Sequence, residues 1–206
     1  MVYPHPRRSI VGAIVFGVVL FAITSFAAAQ GAPGFHIGLS GGADFPVGDQ
    51  EGIYDVGWNG TLMFSWMFGT SPFGIRLDGS YQELQVKSEL EPLFFDGKAR
   101  LIDGTFDFVF GPHIGGWFQP YLLGGVGIYD IRFSGQDVLN GNLEFEVSDT
   151  RFGWNAGTGF AFRVSDQSDV HIFLEGRYHS IDLDRDRFVE TNNRFEVVTA
   201  NLGVVF

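Results

Sequence analysis

Toward the C-terminus apolar residues fall on every second position. Val198, Ala200, Leu202, Val204 and Phe206 alternate with a set that includes Thr199, Asn201 and Gly203. A period of two belongs to a β-strand with two unlike faces. The same pattern predicts eight strands in all, at residues 35–45, 58–68, 73–85, 100–111, 118–134, 150–163, 170–181 and 195–206. The connections between them alternate in length. Residues 69–72, 112–117 and 164–169 are short, whereas stretches such as 135–149 and 182–194 are long.

The faces differ in bulk. In the second strand Trp58, Leu62, Phe64, Trp66 and Phe68 oppose Asn59, Thr61, Met63, Ser65 and Met67. In the sixth, Phe152, Trp154, Phe160 and Phe162 oppose Gly153, Asn155, Gly157 and Gly159. The seventh sets Ile172, Leu174 and Tyr178 against His171, Glu175, Arg177 and His179. An eight-stranded barrel has room inside only for its own side chains, so eight bulky faces turned inward would overfill it. Bulky residues outward and small or charged ones inward suit a barrel whose outside is lipid. Short turns on one side and longer loops on the other suit it too. The expected fold is all-β: an eight-stranded antiparallel transmembrane barrel with short periplasmic turns and longer extracellular loops.

Aromatic residues gather near strand ends. Phe68, Phe73, Trp117, Phe118, Phe162 and Phe206 are expected at the periplasmic interface, and Trp58, Tyr81, Tyr129, Phe152 and Tyr178 at the outer one. The competing reading makes them core aromatics of a soluble, lipocalin-like barrel.

The N-terminus gives an address. Arg7 and Arg8 precede an apolar run from Ile10 to Phe26, followed by Ala27, Ala28 and Ala29. This is the form of a secretory signal peptide cleaved after Ala29. It predicts a signal at 1–29 and a single barrel domain at 30–206. Gly12, Gly17, Thr24 and Ser25 dilute the run and argue against an uncleaved anchor. Removing Arg7 and Arg8 from the 13 basic residues leaves 11 against 24 acidic ones, a net charge of −13. That surface disfavours nucleic acid, whose binding rests on neutralising phosphates. The sequence has no cysteine, hence no disulfide and no thiolate metal site.

Three stretches carry a family likeness: Pro120 to Tyr129 (PYLLGGVGIY), Phe152 to Phe160 (FGWNAGTGF) and Phe173 to His179 (FLEGRYH). With the terminal Phe206, they resemble the small outer-membrane β-barrel family that includes the OmpA and OmpX-like proteins. The resemblance implies residence in the bacterial outer membrane, among lipid and lipopolysaccharide. It also implies that Phe206 is part of the signal read by the barrel assembly machinery. It implies a scaffold rather than one activity.

Candidate chemistry lies in the lumen. Arg76, Asp78, Asp103, Asp107, Glu175 and Arg177 are expected to face inward, with Arg151 and Arg163 nearer the ends. Charges in a narrow barrel must pair or meet water, so these six are expected to form a polar network. The alternative is a narrow small-solute channel. A lipid A-modifying hydrolase is a weaker possibility raised by His179, Ser180 and Glu175. Adjacent strand residues face opposite sides, so His179 and Ser180 should not meet. Asp182 to Arg187 (DLDRDR) lacks the glycine and distal glutamate of a calcium loop, and no metal, cofactor or catalytic residue is assigned. An acidic excess at Asp130, Asp137, Glu144, Glu146 and Asp149 suggests solvated outer loops or a surface for an unidentified ligand. The expected role is non-enzymatic: envelope structure or surface interaction through the loops.

Overall fold

A computed structural model describes residues 34–87, 95–111, 117–137, 143–165, 167, 170–183 and 194–206. The expected signal peptide lies outside them. Eight strands run in chain order: β1 (Phe35–Pro46), β2 (Gly57–Met67), β3 (Phe73–Gln85), β4 (Phe95–Phe110), β5 (Phe118–Asp137), β6 (Leu143–Arg163), β7 (His171–Asp182) and β8 (Arg194–Val205). Each pairs antiparallel with its sequence neighbours, and β1 pairs with β8 to close the barrel. The seam runs from Gly38↔Val205 to Pro46↔Val197. Ile37 and Phe206 extend it by exchanging backbone hydrogen bonds of 2.8 and 3.1 Å. No strand is left with an open edge, as a bilayer requires.

The faces sort as the alternation predicts. Leu39, Trp58, Trp66, Leu77, Phe108, Ile128, Phe152, Leu174 and Leu202 are exposed on the outside. Asn59, Arg76, Asp78, Asp107, Glu175, Arg177, Thr199 and Asn201 are buried inside. Two aromatic belts ring the outside. Trp117, Phe118 and Phe162 cluster with centroids 5.4 to 6.0 Å apart near the short turns, where Phe73 and Phe110 also meet at 5.2 Å. Toward the long loops Trp58 contacts Tyr81 at 5.4 Å, and Trp154 contacts Tyr178 at 5.3 Å.

Above the outer belt the alternation reverses. Tyr81, Ile102, Ile128, Phe152, Tyr178 and Val198 are the last outward apolar residues on their strands. The next outward positions are Glu83, Arg100, Asp130, Thr150 and Glu196. Inside, at the same height, the residues become apolar: Leu84, Ala99, Leu101, Tyr129, Ile131, Ile181, Phe195 and Val197 form one buried cluster. Outward residues that meet water must be polar, and inward ones then supply the hydrophobic core that lipid cannot. The reversal therefore marks the outer face of the bilayer.

Three expectations change at this end of the barrel. Tyr129 does not join the outer aromatic belt. It points inward and is fully buried. The stretch 135–149 is not a simple loop either, because β5 continues to Asp137 and β6 begins at Leu143, a hairpin rising above the membrane. β4 likewise starts at Phe95, earlier than expected. The loop after β1 carries a 3-10 turn, Gly48–Gln50, and returns Tyr54 to the cluster, its ring 6.1 Å from Phe195. Burial there pushes the Tyr54 hydroxyl up to about 12.

Leu174 lies on the lipid side and is 50% exposed. Leu174→Arg is expected to lower unfolding free energy in lipid vesicles by about 2–4 kcal/mol, as a basic residue near the midplane does. Thr150→Arg, outward but above the reversal, should cost less than about 1 kcal/mol. Equal losses at the two sites, read from denaturant titrations, would contradict this placement of the bilayer.

Candidate functional site

All six lumen positions singled out above are on inward faces, and five form one connected ion network. Arg76 on β3 donates from Nε to Asp78 Oδ1 at 2.7 Å. Its Nη1 and Nη2 reach Glu175 Oε2 and Oε1 on β7, across the barrel, at 2.6 and 3.3 Å. Arg177 donates from Nη2 to Asp78 Oδ2 at 2.7 Å and to Glu175 Oε1 at 2.9 Å. Its Nη1 reaches Asp107 Oδ2 on β4 at 3.2 Å. Tyr121 on β5 donates its hydroxyl to Glu175 Oε2 at 2.8 Å, and Thr105 donates to Asp107 Oδ2 at 3.0 Å. The network thus ties β3, β4, β5 and β7 together through the lumen. The sixth residue, Asp103, accepts instead from the Ser80 hydroxyl and from Gln82 Nε2, the latter at 3.0 Å.

Inward glycines make this crowding possible. A Cβ on Gly125 would collide with Phe106 O and Asp107 Oδ1, and one on Gly159 would collide with the Tyr121 ring and hydroxyl. The bulky-against-small alternation of β5 and β6 therefore vacates lumen space for the side chains of the network.

Above it, His179 Nδ1 lies 3.0 Å from the Tyr129 hydroxyl, both side chains buried. Ser180 has the opposite phase on the strand and is itself fully buried, so the two form no nucleophile–base pair. Arg151 sits at the outer end bonded to Asp149. Arg163 is exposed at the periplasmic end. Among the described residues no group of three or more His, Asp or Glu side chains has metal-binding geometry. The segment 184–193, which holds most of the acidic and basic stretch after Asp182, lies outside the described residues.

From the periplasmic end outward, the lumen holds four levels. First comes a cavity of about 250 Å³ lined by Met63, Met67, Val109 and Phe173. The Arg76–Glu175–Arg177 network follows. At the next level is a void of about 10 Å³ bordered by Ser80, Gln82, Asp103, His179 and Thr199, about the size one water needs. The apolar cluster around Tyr129 closes the outer end. Sequence reasoning placed the six charges and His179 inward, but it missed that cluster and the contact of Tyr129 with His179. The missing signal was the reversal: inward Leu84, Leu101, Ile131, Ile181 and Val197 are apolar where outward Glu83, Arg100, Asp130 and Glu196 are polar.

A family model of the outer membrane protein beta-barrel domain matches residues 14–206. The chain belongs to that family. It is an outer-membrane protein, and its barrel is of the small eight-stranded kind. Among solved structures it is similar to Neisserial surface protein A. That match has 18% identity and a TM-score of 0.57, covering 85% of this chain and 98% of that one. It is also similar to a major outer membrane protein from Thermus thermophilus, at 14% identity and a TM-score of 0.54, covering 84% and 98%. At these identities the likeness is one of fold. No curated protein matches the sequence.

Glu175 accepts from both guanidiniums and from Tyr121, so its removal takes a buried partner from each and leaves Asp78 and Asp107 to hold the two arginines. Glu175→Ala is expected to destabilise the barrel by about 3–5 kcal/mol, measured by denaturant unfolding in lipid vesicles. Glu175→Gln keeps an acceptor oxygen and should lose less. A loss under about 1 kcal/mol for the alanine variant, the size of an exposed ion pair, would show that the network carries no structural weight.

Proposed function

We propose that this protein is a non-conducting, non-enzymatic barrel that serves the envelope or the cell surface through its extracellular face. The observation that carries this reading is the double closure of the lumen. A solute path would have to cross a layer of paired charges with room for about one water, and then a buried apolar cluster. What remains for interaction is the outer end, with the hairpin of β5 and β6 and the loop after β1. Loops on a rigid scaffold are where recognition is carried.

Two further partners fit the exterior. Lys98, Arg100 and Arg132 project outward just above the level of Ile102 and Ile128, where Arg100 stands opposite Arg132 across β4 and β5. Glu83 offsets Lys98 and Arg100 at 3.5 and 3.2 Å. Basic residues at this height suit the phosphates of lipopolysaccharide. Phe206 pairs with Ile37 at the closing seam and is 45% exposed, a position suited to the terminal signal read by the barrel assembly machinery. Cleavage of residues 1–29 as a signal peptide belongs to the same reading.

The purified protein in a planar lipid bilayer should show no steady conductance above that of the protein-free membrane. A stable, ion-selective conductance in the wild type would replace this reading with that of a channel.

A further inference from the structure

The cavity at the periplasmic end has a composition at odds with the rest of the chain. Among the described residues its lining includes Arg76, Arg163, His36 and His171 and no Asp or Glu, although the sequence has 24 acidic residues against 13 basic ones. Its walls are apolar, formed chiefly by Met63, Met67, Val109 and Phe173. The floor is closed by Arg76, which Glu175 and Asp78 hold from beyond. A guanidinium has five N–H groups, and the bonds to those two carboxylates use three of them. At the rim Arg163 is exposed and, among the described residues, makes no ion pair.

We infer that this vestibule is a binding site, open toward the periplasm, for a small organic anion with a short apolar chain, such as a carboxylate of about six carbons. The apolar walls take the chain and Arg76 and Arg163 take the head group, the usual division in a small-molecule site. At about 250 Å³ the space falls below the roughly 300–1,000 Å³ that admits drug-sized ligands, which limits the chain. The dead end at Arg76 makes it a pocket and not a passage. A cation of the same length would meet two arginines and, among the described residues, no side-chain carboxylate on the lining, so sign of charge separates ligands there.

The test is titration calorimetry on the full barrel in lipid nanodiscs, with protein-free nanodiscs as blank and hexanoate and hexylammonium as probes. Hexanoate should bind saturably, and hexylammonium at least tenfold more weakly. Arg163→Gln, an exposed substitution that leaves the fold intact, should weaken hexanoate at least fivefold. Ala161→Phe, which fills the cavity, should abolish binding while the far-ultraviolet spectrum and heat-modified gel mobility stay those of the folded barrel. Absent saturation, equal affinity for the two probes, or unchanged affinity in Arg163→Gln would each overturn the site.

Discussion

Every other feature of this structure follows from the pairing of β1 with β8. In the hydrocarbon region no water is present to satisfy a free backbone N–H or C=O, and each one left unpaired costs several kcal/mol. The run of partners from Gly38↔Val205 to Pro46↔Val197, extended by Ile37 and Phe206, removes the two edges an open sheet would expose. Closure at eight strands then fixes the lumen at a width that side chains fill. A chain folded this way must choose which side chains to bury inside. The choice made here is charge in the middle and apolar bulk at the outer end.

The charged middle is stable because it is shared. Glu175 accepts from Arg76, Arg177 and Tyr121, and Asp78 bridges the same two guanidiniums. Each buried ion therefore has several partners, which is the condition under which a buried pair offsets its own desolvation. The glycines at 125 and 159 are the other half of this arrangement, since a side chain there would occupy the space of Asp107 and Tyr121. Packing explains why a barrel interior carries both so much glycine and so much charge.

The fold was legible because lipid imposes a strict rule on alternate residues, and the outward faces of β2, β6, β7 and β8 obey it across the membrane. The six lumen charges were legible for the same reason: a charged residue in phase with the small face has only the interior to go to. What alternation in one phase concealed was the change of solvent along the strand. Tyr129 was misplaced because tyrosine suits a membrane interface as well as a core, and only its phase separates the two. Ile131 and Phe133, inward on the same strand, and Asp130 and Arg132, outward, were the residues that decided it. The extension of β5 was concealed by Gly135, Gln136 and Asp137, since glycine and aspartate are turn residues by type although β5 runs through them. Contacts across the lumen, such as Arg76 to Glu175, depend on strand positions far apart in sequence, and no spacing rule announces them.

The lumen is divided at Arg76, with the open cavity below it and the paired charges and apolar cluster above. The natural absence of cysteine allows this to be read directly with single-cysteine variants and a charged, membrane-impermeant thiol reagent added to either side of oriented vesicles. Ala161→Cys, in the vestibule, should be modified from the periplasmic side only. Thr61→Cys, beside the network, and Ala99→Cys, in the apolar cluster, should resist modification from both sides. Ready modification of Thr61→Cys from the extracellular side, in a barrel that remains folded, would contradict the account, because it would require a water path through the cluster around Tyr129.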